Sequence, residues 1–379
     1  MKAAPEPIKR AGRRGLPTAF LALAAACSAC LAGCRKDDTG QQPSLTTLEV
    51  SQITTTTASC GGFISDEGSG AVTARGVVWG TAENPDTGSS LGMTNEGAGP
   101  GQFESQITGL SPGTGYYVRA YATNTAGTSY GGQQGFSTRP ADGSRGVVSD
   151  IDGNQYETVV IGDQEWMAEN LRTTRYRDAS PIQTDLSNAE WLNTREGAFA
   201  VYPHQGVDGI DSEAAMVAAY GKLYNWYAVT DPRGLCPEGW HTPSKEEWEQ
   251  LSAYVMDALG LHNDWLSTGL NGLGNALKSC RQKDSPLGGD CASPAHPRWD
   301  AHATHHGNDH YGFSALPAGW RRIDGQYYHL GLQSHWWTSK PMLSSTAWNM
   351  AMHHSRGSVE GYNHNNNRGY SLRCVRLLD

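Results

Sequence analysis

The stretch "LCPEGWHTPSKEEW", residues 235–248, sets a cysteine a short way before a helix start. A thiol at a helix N-terminus can have a depressed pKa and act as a nucleophile, whereas a thiol in an exported protein is commonly half of a disulfide. Downstream, Trp248, Leu251, Val255 and Ala258 or Leu259 recur at helical spacing, which predicts an amphipathic helix to about Gly260. Two starts fit: Thr242 with Pro243 as N-cap and N1, or Ser244 with Glu247 as a capping box. In either register Cys236 lies six to eight residues before the cap, beyond a helix dipole that fades within one turn.

The N-terminal segment points to export. Lys9, Arg10, Arg13 and Arg14 precede an apolar run from Leu16 to Leu31 that is too short and alanine-rich for a stable membrane span. The run ends in Leu31-Ala32-Gly33-Cys34, which resembles a bacterial lipobox. The resemblance implies a signal peptide over 1–33, a lipid on Cys34 that anchors the chain to a membrane, and a linker over 34–45. Arg35-Lys36-Asp37-Asp38 resembles the surface-export signal of Bacteroidetes lipoproteins, so the expected location is the outer membrane, facing the cell exterior.

A net charge of -9 with no basic stripe argues against a nucleic-acid partner. Gly is abundant at 46, and short apolar runs alternate with turn residues, the pattern of a mostly β chain. Cys27 and Cys30 leave with the signal and Cys34 takes the lipid. Cys60, Cys236, Cys280, Cys291 and Cys374 remain, so at least one is unpaired within the chain.

Residues 46–139 carry strand signals at 48–54, 57–65, 72–80, 102–109, 115–123 and 128–137, the spacing of a β-sandwich. In "GYYVRAYATNTAG", Tyr116, Val118, Ala120 and Ala122 share one face, and Tyr117, Arg119 and Tyr121 the other. With Leu110, Pro112 and Thr114, this segment resembles the L-x-P-x-T-x-Y-x-V-x-A-x-A strand of fibronectin type III domains, which implies a tyrosine corner at Tyr116. Cys60, between Ser59 and Gly61 in the second strand, reads as a buried free thiol. "PADGSRG", 140–146, reads as a linker.

Residues 147–379 open with short strands and tight turns at Asp152-Gly153 and Gly162-Asp163. "DIDGN" lacks the later ligands of a calcium loop and reads as a hairpin turn. The ordered set Asp150 to Asn154, Trp166 to Leu171, Tyr220-Gly221 to Tyr227, Cys236-Pro237 through Ser244, Gly312 to Gly319, Trp336 to Ser339 and Arg373-Cys374-Val375-Arg376 closely resembles the Fibrobacter succinogenes major paralogous domain. The region 176–215 departs from that family as an insert, and "CRQKDSPLGGDC" is an elaboration. The strand–helix–strand order is also similar to the C-type lectin-like fold shared with formylglycine-generating enzymes. That resemblance implies a Cys236–Cys374 disulfide, with Cys280–Cys291 the natural second pair. The expected fold is therefore mostly β: a fibronectin type III sandwich followed by an α+β, C-type lectin-like module.

Three kinds of site come into consideration. His302, His305, His306, Asp309 and His310 in "AHATHHGNDH" form the one metal candidate, although Gly307-Asn308-Asp309 points to a polar loop. The three-residue loops of calcium-dependent lectins are absent, and Met350 follows Trp348-Asn349 where the last ligand would stand. A sugar can still stack on Trp320, Tyr327, Tyr328, Trp336 or Trp337, though the last two match family positions expected in the core. Asn363, Asn365, Asn366, Asn367 and Arg368 in "YNHNNNRGY" are expected on a loop or hairpin tip as binding groups. No nucleophile elbow, His-Glu-x-x-His or phosphate loop occurs, so neither an enzyme nor a cofactor is expected. The expected role is recognition of an extracellular glycan or protein. The alternatives are a structural part of a pilus tip or envelope complex, and a metal-dependent enzyme using the His-rich loop.

Overall fold

The computed structural model describes residues 40–264 and 271–378. The signal peptide, Cys34 and the first part of the 34–45 linker lie outside the described residues.

The first module contains β1 (Ser44–Thr47), β2 (Ala58–Asp66), β3 (Ala74–Gly80), β4 (Gly92–Met93), β5 (Gly101–Ile107), β6 (Gly115–Asn124), β7 (Gly127–Tyr130) and β8 (Gln134–Ser137). One sheet runs β1-β2-β5 and the other β4-β3-β6-β7, with β8 also on β6. This division of antiparallel strands is that of a fibronectin type III sandwich. Tyr116, Val118, Ala120 and Ala122 all point between the sheets, against Val77, Phe103, Ile107 and Phe136. The Tyr116 hydroxyl accepts from Ser111 N at 2.9 Å, forming the tyrosine corner. Tyr121, on the opposite face, is buried too, its hydroxyl donating to Thr94 O at 2.7 Å.

Two strand expectations need correction. Ser44–Thr47 forms the first strand, whereas 48–54 keeps only a bridge from Ser51 to Ser59. Thr54 Oγ1 accepts from Thr56 N and Thr57 N, closing a turn in that threonine-rich run. The strand expected at 128–137 divides into β7 and β8. Cys60 is free and buried, and burial pushes its thiol up to about 11, so it packs as a small hydrophobe.

The second module contains β9 (Arg145–Ser149), β10 (Gln155–Ile161), β11 (Gln164–Met167), β12 (Phe199–Ala200), β13 (Leu223–Tyr224), β14 (Ala318–Arg321), β15 (Tyr327–Leu330), β16 (Gln333–Leu343), β17 (Thr346–His353), β18 (Val359–Asn365) and β19 (Val375–Leu377). Its helices are α1 (Asn188–Asn193), α2 (Glu213–Tyr220), α3 (Trp226–Val229), α4 (Lys245–Leu259) and α5 (Leu273–Leu277). β9 already begins at Arg145, so the linker is shorter than 140–146. Gly143 N and Ser144 O bond to Val160 O and Val160 N, drawing those residues into the module. β9 is an edge strand with an exposed face, and its polar residues therefore read as linker.

Ser244, not Thr242, caps α4: its hydroxyl accepts from Glu247 N at 3.1 Å, and the Glu247 carboxylate accepts from Ser244 N at 2.7 Å. Gly260 ends the helix at φ 64°, a left-handed position that glycine adopts without steric cost. Trp248 packs against Trp166, with ring centroids 4.8 Å apart, and against Phe313 and Trp336. Trp336 and Trp337 are both fully buried.

β19 pairs with β11, closing the sheet β19-β11-β10-β9, so the last strand lies beside the first hairpin. His241 and Val375 exchange backbone bonds at 2.9 and 3.0 Å. Beside them Cys236 is bonded to Cys374, and Cys280 is bonded to Cys291. Cys236 is thus oxidised and has no thiolate to offer.

The insert 176–215 folds onto the remainder through Trp191, which is fully buried and donates Nε1 to Asn367 O. Lys278 and Arg373 are two buried cations held by carbonyl and amide oxygens. Lys278 Nζ donates to the carbonyls of His305 (2.6 Å), Arg356 (2.9 Å) and His353 (3.2 Å). Arg373 donates to the carbonyls of Phe313 and Ser314 and to Asn170 Oδ1.

Candidate functional site: an aromatic and imidazole face

The sheet β15-β14-β16-β17-β18 has two different faces, and strand register decides their composition. Trp337, Asn349 and Tyr362 stand opposite one another across three strands, as do Ala347 and His364, so these side chains share a face with His335. Trp336, Met350, Met352 and Val359 take the other face and pack against α4.

On the first face the rings form a continuous cluster. His335 stacks on Tyr370 at 4.5 Å and 12°, and Tyr362 stacks on His364 at 5.6 Å and 13°. Trp320 stacks on Tyr328 at 5.1 Å, and the Arg368 guanidinium lies 4.8 Å from the Trp320 ring centre. Hydrogen bonds fix the cluster: His335 Nδ1 and Asn349 Oδ1 lie 2.8 Å apart, the Tyr370 hydroxyl and His364 Nδ1 2.7 Å apart, and Arg368 Nη1 donates to the Tyr370 hydroxyl at 3.2 Å. His335, Asn349 and Tyr370 are buried. Trp320, Tyr328, Tyr362, His364 and Arg368 are only partly covered, and His329 beside them is exposed.

Of the binding residues expected from sequence, the fold gathers Trp320, Tyr328 and Arg368 here. Tyr327, next in the strand, packs instead on Tyr202 at 5.3 Å. Asn363 is exposed but pairs with Trp348 on the opposite face. Asn365 Oδ1 accepts from Asn367 N, closing the turn. The expectation that Asn366 and Asn367 form a surface loop is overturned, since they are 1 % and 3 % exposed. Asn367 Nδ2 donates to Trp191 O and Thr194 O, both at 2.8 Å, so the insert covers it. The covering residues lie 173 to 176 positions away in sequence, which is why the covering is invisible from "NNN" alone. His335, Tyr362 and Tyr370 are not singled out by the sequence reading, and Asn349 and His364 are not placed by it in this site. Their signal was period-two spacing of imidazole, amide and phenol side chains across neighbouring strands, legible only once the register is known.

Burial pulls the His335 imidazole down to about 3; the Asn349 bond opposes this and His364 reinforces it. Burial, and then Arg368, pulls His364 down to about 4. Burial also pulls His353 down to about 4, with His354 adding to the effect. These imidazoles stay neutral in the folded chain while their unfolded counterparts charge near 6.5. Stability is therefore complete above pH 6.5 and declines as pH falls toward 4, because only the unfolded state gains protons in that window. Thermal melts of the full chain from pH 7.5 to 4 should show this loss, and His335→Gln should flatten the slope even where it lowers the melting temperature throughout.

The metal candidate is corrected. His302 and His305 come within 4.8 Å by ring centre, but the Asp309 carboxylate turns away to accept from Ser314 N and Oγ, both at 2.6 Å. The His310 ring packs on Tyr311, and the His305 carbonyl holds the Lys278 ammonium, which repels a cation. His306 is no part of a ligand group either: among the described residues no three His, Cys, Asp or Glu side chains converge as metal ligands.

A fibronectin-type sandwich followed by a mainly β module with a polar aromatic face defines a two-module architecture. The chain belongs to the Fibrobacter succinogenes major domain family, whose model matches residues 159–376. No curated protein matches the chain. Similar solved structures include the sensor domain of the anti-sigma factor RsgI4 of Pseudobacteroides cellulosolvens, with 19% identity over 26% of this chain and 96% of that one and a TM-score of 0.21. Others are fibronectin type III domains from the human KIAA0970 protein (12% identity, 26% and 74% coverage, TM-score 0.20) and from human fibronectin type III domain containing protein 3 (26%, 28% and 88%, TM-score 0.19).

Proposed function

We propose that this chain is a lipid-anchored protein of the bacterial outer surface whose lectin-like second module binds an extracellular glycan, with the sandwich as spacer. The observation that carries the reading is the Trp320–Tyr328 stack, half-open to solvent and flanked by Arg368, His364 and His329. Sugar rings present apolar C–H faces that stack on such aromatics, and the surrounding imidazole and guanidinium groups exchange hydrogen bonds with hydroxyls. Lipidation of Cys34 supplies the anchor in this reading; no described helix is long and apolar enough to cross a membrane.

A glycan array probed with the full chain, followed by titration of the best hit, tests the proposal. Trp320→Ala with Tyr328→Ala should weaken binding by about 30-fold, the effect of losing an aromatic hot spot worth about 2 kcal/mol. Silence across diverse glycans, or unchanged binding by the double variant, would sink it. Silence with co-purifying pilus or envelope proteins would favour a structural role.

A further inference from the structure

Residues 168–172, the end of α2 and the loop around Cys280 enclose a cavity of about 530 Å³ that shares no residue with the aromatic face. Three arginines line it: Arg172, Arg281 and Arg373. Arg172 already has a carboxylate partner, Glu169, at 2.9 Å. The other two have none among the described residues. Arg281 is exposed and donates to Pro297 O at 2.9 Å and Ser293 Oγ at 3.3 Å.

Arg373 is only 1 % exposed. Its Nε donates to Asn170 Oδ1, Nη1 to the carbonyls of Phe313 and Met167, and Nη2 to Ser314 O. A guanidinium has five N–H groups, so one on Nη2 remains without an acceptor among the described residues. Asp309 and Glu169 act on this guanidinium only at a distance, without a direct bond. A buried cation with spare hydrogen-bonding capacity and no bonded carboxylate is costly, and a carboxylate in the cavity would relieve that cost.

The same cavity presents acceptors. Glu157 and Glu169 line it, as does Ser279, whose Oγ accepts from Arg281 N at 3.3 Å. Simple anions such as phosphate would meet two like-charged carboxylates here. A ligand carrying one carboxylate and several hydroxyls satisfies both sets: the carboxylate faces Arg373 and Arg281, and the hydroxyls donate to Glu157 and Glu169. We propose that this cavity binds a sugar acid, a monosaccharide-sized ring bearing a carboxylate, either free or at the end of a glycan chain. Its volume lies within the roughly 300–1,000 Å³ of small-ligand sites.

Calorimetric titration of the full chain with D-glucuronate and D-galacturonate tests this, with D-glucose, D-galactose and acetate as controls. At least one uronate should bind saturably, more weakly as salt is raised, while the controls should not. Arg281→Glu changes an exposed side chain and should fold; it should weaken uronate binding by at least about tenfold, a loss of about 1.4 kcal/mol. An oligosaccharide ending in glucuronate, compared with the free acid, separates a glycan terminus from a free ligand. Absence of uronate binding, equal binding of neutral sugars, or unchanged affinity in Arg281→Glu would overturn the proposal. The Trp320→Ala, Tyr328→Ala variant should bind uronate normally, so this result and the aromatic-face result can fail separately.

Discussion

Replacing Cys236 and Cys374 together by alanine should lower the melting temperature of the second module by about 10 °C or more. The bond joins residues 138 apart in sequence, and the chain-entropy account assigns such a loop about 5 kcal/mol of restriction on the unfolded state. The native surroundings add to this. Cys374 O accepts from Met167 N at 3.0 Å, and the adjacent His241–Val375 bridge holds the segment before α4 to β19. Both sulfurs are buried, so the double change leaves a void as well as a longer unfolded chain. The Cys280–Cys291 bond closes a loop of separation 11, for which the same account gives only about 3 kcal/mol. Scanning calorimetry on the two double variants should rank them in that order. Equal shifts, or a shift confined to the sandwich transition, would contradict the assigned role.

Lys278→Met should destabilise the second module by about 3 kcal/mol or more. The ammonium has three N–H groups and meets three backbone carbonyls, from His305, His353 and Arg356, which joins the His-rich loop to the turn after β17. Burial alone pulls this lysine down to about 7. Three acceptors match an ammonium and not the two hydrogens of an amine, so the bonding favours the charged form at neutral pH. Methionine fills a similar volume but donates nothing, so three hydrogen bonds from a charged donor are lost, each worth about 1.5–3 kcal/mol before local relaxation. Denaturant unfolding should record a lower midpoint with little change in slope. Hydrogen exchange should locate the loosening at residues 302–310 and 353–357. A variant as stable as the parent would mean that the loops hold together without the cation.

The two cations also explain a limit of the sequence reading. Lys278 and Arg373 stand in polar surroundings, "ALKSC" and "SLRCV", where any lysine or arginine reads as a surface charge. Their burial depends on carbonyls contributed by loops 27 to 78 residues away for Lys278 and 59 to 60 away for Arg373's Phe313 and Ser314 partners. No local pattern announces such a cage.

The stretch 235–248 illustrates both sides. Sequence alone located α4, because an amphipathic period and capping residues are local properties of the chain. It also separated Cys236 from the helix dipole, since that is a matter of counting residues. The alternation Tyr116, Val118, Ala120, Ala122 likewise determined the core face of β6, because side chains in a strand alternate whatever its neighbours. The choice of Ser244 over Thr242 required the observed bonds, as both residues have the chemistry of a cap. The aromatic face belongs to tertiary structure entirely. It exists because β14, β15, β16 and β18 align in one register, and because the insert reaches across to cover Asn367 while leaving Trp320 and Tyr328 half-open. Periodicity fixes which way a side chain points from its own strand; only the packing of distant segments decides whether water or protein meets it there.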